Sequence, residues 1–150
     1  MIWTKQTILA AQLAFSAHSK QTDKLGVPYI FHLMEVAEQA KSEEETIVSL
    51  LHDYLEDIRP EMDDSAAMDF FAMFGDEVVL ALIALKHKPN TPYMEYLEGV
   101  KGNILALSVK KNDIHSNSNP QRLALLPETD RIRLTKKYQR ALEYLNSKEE

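Results

Sequence analysis

The chain has 150 residues, of which 17 are basic and 23 acidic, and its formal net charge of −6 argues against binding to the backbone of a nucleic acid polymer. No stretch approaches the roughly 18 apolar residues of a membrane span, and no secretory signal is visible at Met1 and the residues after it. Cysteine is absent, so disulfides and thiolate metal sites are excluded, and we expect a protein of the reducing cytoplasm.

The composition predicts a single all-α domain over residues 1–150. Apolar residues make up 45% of the chain, which is enough for a core at this length. Only 4 glycines and 6 prolines interrupt it, and no run of β-branched residues alternates with polar ones, as strands would require. We therefore expect a helical bundle.

Apolar periodicity and capping residues predict eight helices. Ser42, with Glu45 three residues later, forms a capping box for the third, Gly75 ends the fourth, and Asp76 is placed to cap the fifth. A polar tail is expected at 146–150. The buried side of the first helix is predicted to be Ile8, Ala11, Leu13, Ala14, Phe15 and Ala17. The predicted ranges are 4–18, 29–40, 42–58, 62–74, 77–85, 92–98, 104–117 and 131–145.

The third predicted helix carries the most informative stretch, residues 50–58. At about 100° per residue its apolar side chains fall on one side. The other side holds Ser49, His52, Asp53, Glu56 and Asp57. An ordinary surface helix also has a polar side, but here that side lacks Lys, Arg and Gln, and its carboxylates would repel each other unless a cation lay among them. Imidazole beside carboxylate suits a divalent metal, and a spare carboxylate suits the activation of water.

The predicted helix at 104–117 is apolar nearly all round, which indicates burial. Lys110, Asp113 and Asn117 nevertheless share one stripe of it. Buried charges need partners, and a metal ion would serve Asp113.

Four motifs follow one another along the chain. They are Gly-Val-Pro-Tyr-Ile-Phe-His at 26–32, Leu-Leu-His-Asp-Tyr-Leu-Glu-Asp at 50–57, Phe-Gly-Asp-Glu-Val at 74–78, and Val-Lys-Lys-Asn-Asp at 109–113 with Asn117. Together they resemble the HD-domain phosphohydrolases, and within these the hydrolase domain of RelA/SpoT-type alarmone enzymes and their small stand-alone relatives. The resemblance covers nearly the whole chain.

This resemblance implies a metal site and a catalytic pair. The metal in such domains is usually manganese, and the acidic pair that positions and deprotonates the attacking water corresponds to Glu56 and Asp57. Asn117 matches a position that contacts the sugar region of a nucleotide. The implied metal ligands are His32, His52, Asp53 and Asp113.

Further side chains have two interpretations each. Lys24 and Lys110 are candidates for phosphate contacts. Alternatively, Lys24 is a solvated loop residue, and Lys110 extends its amine to the surface. His18 either faces the substrate or caps the carbonyls at a helix end. His87 and His115 match no ligand position, and we interpret both as structural.

The loop before Gly26 departs from the family. Alarmone hydrolases usually carry Arg-Lys there, with the arginine against guanine, whereas this chain has Asp23-Lys24. Asp23 is a lost base contact, a substitute that accepts hydrogen bonds from guanine, or a solvent-exposed residue without a role. We favour the first of these interpretations.

The sequence thus predicts a metal-dependent phosphohydrolase of a small-molecule nucleotide, with (p)ppGpp and its 3′ pyrophosphate as the leading substrate. The partner is neither a nucleic acid polymer nor a membrane, and the oligomeric state is left open. One alternative is a hydrolase of another nucleotide or phosphate ester. The other is a degenerate module that binds a nucleotide without turnover.

Overall fold

The computed structural model describes residues 1–148 and confirms the all-α prediction, since this range contains helices and turns but no β-strand. Positions 149 and 150 of the predicted polar tail lie outside the described residues. The α-helices are α1 (Lys5–Ala17), α2 (Ile30–Glu38), α3 (Glu43–Leu51), α4 (Asp64–Phe70), α5 (Asp76–Leu85), α6 (Tyr93–Lys101), α7 (Ile104–Asn117), α8 (Pro120–Ala124) and α9 (Glu128–Asn146). None of these is long and apolar enough to cross a membrane.

Helix α3 lies at the centre of the molecule and packs against α1, α2, α5 and α7. The apolar side predicted for this region is buried, with Leu50 and Leu51 fully enclosed and Tyr54 and Leu55 nearly so. Each such leucine removed from water contributes roughly 1.5–3 kcal/mol to folding. The residues that follow α3 are therefore fixed relative to four other helices.

The predicted buried side of α1 is wrong at Ile8 and Phe15, whereas Ala14 is buried and Ala11, Leu13 and Ala17 are partly buried. Ile8 and Phe15 are exposed, while Thr7, Ala10 and Ala14 are completely buried. These three positions are spaced by three and four residues, so they form one stripe of a helix. Their small side chains allow α1 to pack directly on α3, an arrangement that a search for large apolar residues does not detect.

The regular helix predicted at 42–58 is interrupted. Helix α3 ends at Leu51, and residues Tyr54–Ile58 form a π-helical turn. The N–H of Arg59 donates to the carbonyl of Tyr54 at 3.0 Å, which is the five-residue spacing of a π turn. His52 and Asp53 lie between the two segments.

Ser42 caps α3 as predicted, because its hydroxyl accepts the N–H of Glu45 at 3.0 Å. The carboxylate of Glu45 reaches back to the N–H of Lys41 at 2.8 Å and also accepts the hydroxyl of Ser108 on α7. The prediction that Asp76 caps α5 is wrong. Gly75 occupies the N-cap position and Asp76 is the first helical residue.

The second half of the chain contains one helix that the sequence did not predict. Helix α7 has the predicted bounds, although its first residue, Ile104, is 89% exposed. The short helix α8 was not predicted, because the Asn-Pro sequence at 119–120 reads as a helix end. Asn119 in fact caps α8, accepting the N–H of Gln121 at 2.9 Å, with Pro120 in its first turn.

Replacement of Gly75 by alanine tests the link between α4 and α5. Gly75 has φ +90° and ψ 156°, a region that is essentially restricted to glycine. We expect Gly75→Ala to lower the free energy of unfolding by about 1–3 kcal/mol in urea denaturation.

Gly99 provides the matched control, since it lies within α6 and an added methyl group would meet no atom within 4 Å. Gly99→Ala should raise the free energy of unfolding by about 0.5–1 kcal/mol. Equal effects of the two substitutions would contradict the assignment of strain to Gly75.

Candidate metal centre and adjoining cavities

Two imidazoles and two carboxylates from three separate segments meet in the interior. His32 comes from the first turn of α2, His52 and Asp53 from the junction after α3, and Asp113 from α7. The Nε2 atom of His32 lies 2.9 Å from Oδ1 of Asp113 and 4.0 Å from Oδ2 of Asp53. Nε2 of His52 lies 3.1 Å from Oδ2 of Asp53 and 3.4 Å from Oδ1 of Asp113. We call these four residues the His–Asp cluster.

Both histidines of the cluster are oriented by their outer nitrogen atoms. Nδ1 of His52 donates to the carbonyl of Ser49 at 2.6 Å, and Nδ1 of His32 contacts the hydroxyl of Ser116 at 3.0 Å. With Nδ1 donating to Ser49, His52 directs Nε2 into the cluster, as metal-bound histidines do, and the carboxylates of Asp53 and Asp113 raise the pKa of its imidazole above the ordinary value. This Nε2 atom is buried and has no hydrogen-bond partner among the described residues.

The two carboxylates of the cluster remain charged. Burial alone would raise the pKa of Asp113, but Lys110, His32 and His52 hold it well below its usual value. Burial likewise acts to raise the pKa of Asp53, and His52 lowers it below the ordinary range. Ionised carboxylates and imidazole nitrogens suit a divalent ion, and His32, His52 and Asp53 are close enough to share one.

Hydrogen bonds from outside the cluster fix both carboxylates. The hydroxyl of Tyr29 donates to Oδ2 of Asp53 at 2.5 Å. Asp113 accepts hydrogen bonds from Nζ of Lys110 at 2.9 Å and from Nδ2 of Asn117 at 3.1 Å. Tyr29 was not among the predicted site residues, although its position three residues before His32, one helical turn away, was a usable signal.

Glu56 and Asp57 follow the cluster on the π turn, but they have different partners. Glu56 accepts the backbone N–H of His87 at 2.5 Å, and Asp57 accepts Nε2–H of Gln21 at 3.0 Å. Burial is the main cause of the raised pKa of both Glu56 and Asp57. His87 itself stacks on Tyr96, so its structural interpretation fits its surroundings, and its contribution to Glu56 comes from the backbone.

Two cavities adjoin the cluster. The apolar cavity, of about 270 Å³, is bounded by the loop before α2 and by α8 and α9; its main lining residues are Asp23, Leu25, Tyr29, Arg122, Leu134 and Tyr138. The polar cavity, of about 160 Å³, lies between the π turn and α6, α7 and α9; it is lined by Glu56, His87, Tyr93, Lys110, Lys137 and others. Asn117 and Tyr138 line both, so the two cavities share a border beside Asp113.

Lys137 is a cation of the polar cavity that the sequence analysis missed. Its ammonium lies 4.6 Å from the ring centre of Tyr93. Burial and the neighbouring Lys110 lower the pKa of Lys137. Lys137 follows Asp113 by 24 residues and lies on a helix rich in basic residues, so no local pattern distinguishes it.

The other predicted site residues, Lys24, Lys110 and His18, lie in different surroundings. Lys24 is exposed at the edge of the apolar cavity, and Lys110 lines the polar one while paired with Asp113. His18 is buried beside Tyr29, and its Nδ1 contacts the side chain of Gln21 at 2.7 Å. A substrate contact for any of the three stays a prediction.

Asp23 is engaged within the protein. Its Oδ1 accepts the N–H groups of Leu25 at 2.8 Å and Val27 at 3.0 Å. Its Oδ2 accepts Nη2–H of Arg122 on α8 at 2.6 Å. The interpretation of Asp23 as a solvent-exposed residue without a role is therefore wrong. Residue spacing gives no sign of this contact, because Arg122 lies on α8, a helix that the sequence did not predict.

No protein-family model matches the sequence. No curated protein matches it either. Among solved structures, the fold is similar to that of a metazoan ortholog of SpoT, described as hydrolyzing ppGpp and playing a role in starvation responses. The identity is 18% and the TM-score 0.75, over 98% of this chain and 89% of that chain. At this identity the similarity concerns the fold, and it confirms the architecture that the sequence motifs predicted.

Addition of a divalent ion should stabilise the protein, because an ion held by the cluster would join three segments. An ion that binds only the folded state adds about 2.7 kcal/mol to the free energy of unfolding at a hundredfold excess over Kd. We expect a panel of divalent chlorides to raise Tm in differential scanning fluorimetry.

Asp53→Ala should abolish this rise, whereas Asp69→Ala, which removes an exposed carboxylate from α4, should leave it intact. A rise in Tm that persists in Asp53→Ala would remove this residue from the ligand set.

Proposed function

We propose that this protein is a metal-dependent phosphohydrolase that acts on a nucleotide, with guanosine 3′,5′-bis(diphosphate) as the leading substrate and its 3′ pyrophosphate as the group removed. The observation that carries the proposal is the His–Asp cluster, with a buried imidazole nitrogen free to bind an ion and an acidic pair next to it on the π turn. Neither an ordinary surface helix nor a structural core requires this combination.

His32, His52, Asp53 and Asp113 would hold the ion, and we expect manganese. Once bound, such an ion polarises a phosphoryl oxygen and lowers the pKa of water. The mixed imidazole and carboxylate set fits manganese, since the chain has no cysteine to favour softer metals.

Glu56 is the proposed general base, with Asp57 as its partner in positioning water. The hydrogen bond from the N–H of His87 holds Oε1 of Glu56, which leaves the other oxygen available to accept a proton. Asp57 is exposed and held by Gln21, so it is the less enclosed of the two. Burial raises the pKa of both carboxylates, so the choice of Glu56 rests on its more enclosed position and on its hydrogen bond from His87.

The polar cavity would receive the phosphoryl groups. Lys110 and Lys137 line it, and the ring of Tyr93 and the amide of Asn117 complete its wall near Asp113. Cations fixed near the reacting phosphorus stabilise the negative charge of the transition state. The apolar cavity on the other side of Asn117 has room for the nucleoside, with Lys24 at its edge.

A nucleotide screen tests the proposal. Purified protein with manganese should release pyrophosphate from guanosine 3′,5′-bis(diphosphate) in a coupled assay. Release of phosphate or pyrophosphate from other nucleotides alone would support the alternative substrate. Stoichiometric manganese and nucleotide binding without any release would favour the binding module and contradict the proposed activity.

Glu56→Gln should separate metal binding from turnover. Glutamine keeps the shape of the side chain but cannot take the proton, so we expect kcat to fall by about 10²–10⁴-fold while the rise of Tm with manganese persists. Asp57→Asn is the matched comparison, with a smaller expected loss. Near-full activity of Glu56→Gln would instead assign the base to Asp57.

The pH profile provides an independent test of the base. Burial raises the pKa of Glu56 above 4.5, and only the ionised form accepts a proton. Activity should therefore be present at neutral pH and be lost as the pH falls through the pKa of Glu56, which gives kcat/KM an acid limb that Glu56→Gln lacks. Circular dichroism and the manganese-induced rise of Tm, measured at each pH, separate this limb from unfolding and metal loss. The same acid limb in the residual activity of Glu56→Gln would contradict the assignment.

A further inference from the structure

The apolar cavity contains one ion pair in a wall that is otherwise mostly apolar. Leu25, Leu123, Leu126 and Leu134 and the tyrosine rings provide most of its surface. The pair between Asp23 and Arg122 joins residues 99 positions apart and is partly buried. Removing a charged pair from water costs desolvation free energy, so packing alone does not explain why this pair lines the cavity.

Asp23 has little hydrogen-bonding capacity left for a ligand. An ionised carboxylate offers about four acceptor positions, and the N–H groups of Leu25 and Val27 and the guanidinium of Arg122 occupy three of them. Burial would raise the pKa of Asp23, but these donors lower it, so the group stays ionised and fixed. The carboxylate therefore holds Arg122 in place.

Arg122, by contrast, has hydrogen-bond donors left for a ligand. A guanidinium carries five N–H donors in a rigid plane and no acceptor, and the bond to Asp23 uses one of its nitrogens. Its side chain is 29% exposed and lines the cavity. The ion pair thus presents hydrogen-bond donors and a flat cationic surface to whatever enters.

The cavity is connected to the metal centre by two side chains in its own wall. Tyr29 donates to Asp53, and Asn117 donates to Asp113. A substrate with its phosphoryl group at the cluster would therefore place its neighbouring part in the apolar cavity. That part would lie against the leucine and tyrosine side chains, with the remaining donors of Arg122 available to its hydrogen-bond acceptors.

We propose that Arg122 determines base specificity by donating hydrogen bonds to O6 and N7 of a guanine, and that Asp23 is the positioning residue that orients it. Guanine presents two acceptors along this edge, whereas adenine presents one acceptor and an amino group. The amino group would face a donor and leave both without a partner. This inference rests on the proposed function for the connection to chemistry, but it concerns binding alone.

Equilibrium binding provides a test that does not require turnover. Isothermal titration calorimetry with GDP and ADP gives the ratio of their dissociation constants for the manganese-loaded protein. The wild type should prefer GDP, and Arg122→Met should reduce this preference by about 5- to 150-fold, the usual worth of one bidentate contact to guanine. Arg131→Met, which shortens an exposed arginine of α9 outside the cavity, is the matched control and should not change the ratio.

Two more variants separate specificity from a merely structural role. Arg122→Lys retains the charge but not the planar fork, so the preference for guanine should still fall. Asp23→Asn keeps an oxygen for the N–H groups of Leu25 and Val27 but loses the charge that holds Arg122, so the preference should fall by less than in Arg122→Met. If Arg122 and Asp23 had only a structural role, the substitutions would weaken the binding of GDP and ADP equally and leave the ratio of their dissociation constants unchanged.

The outcomes distinguish this inference from the proposed function. If the wild type hydrolyses nucleotides but Arg122→Met retains the same GDP-to-ADP ratio, the inference is overturned and the function stands. If GDP is preferred through Arg122 but no nucleotide is hydrolysed, the inference stands and the function fails. Equal binding of GDP and ADP to the wild type, or binding of neither, overturns the inference.

Discussion

The enclosure of two carboxylates with two imidazoles is the constraint on which the rest of the structure depends. Asp53 and Asp113 would be costly to bury alone, and the chain surrounds them with four side-chain partners, those of Tyr29, His32, Lys110 and Asn117. Those partners come from α2, α7 and the loops, so formation of the cluster requires that these elements pack in one arrangement. The chemistry and the tertiary fold are therefore specified by the same contacts.

The backbone that follows the cluster residues His52 and Asp53 is irregular. A regular helix from Glu43 to Ile58 would place Glu56 and Asp57 one turn beyond His52 and Asp53, on the same side. The π turn instead directs Glu56 towards His87 and Asp57 towards Gln21, so each carboxylate has its own support. π turns are frequent at functional sites, and sequence periodicity gives no sign of them.

Much of the fold could be predicted from local signals, and the site only in part. Helix α7 was predicted to the residue, because its apolar run and the Asn-Pro end are strong patterns. The exposed Phe15, by contrast, was predicted to be buried, since hydrophobicity alone does not show that α1 packs through its alanines. Arg122 and Lys137 reach the cavities only through the packing of α8 and α9, and such long-range proximity leaves no trace in residue spacing.

The π turn also limits how this region tolerates changes in chain length. Its wider ring holds one residue more than an α-helical turn. Loss of a single residue within Tyr54–Ile58 would allow the backbone to close as a continuous α-helix, and each later side chain would rotate by about 100° around the axis. Glu56 and Asp57 would then leave His87 and Gln21 while the number of helices stayed the same. A one-residue deletion here would therefore separate the acidic pair from the His–Asp cluster in one step.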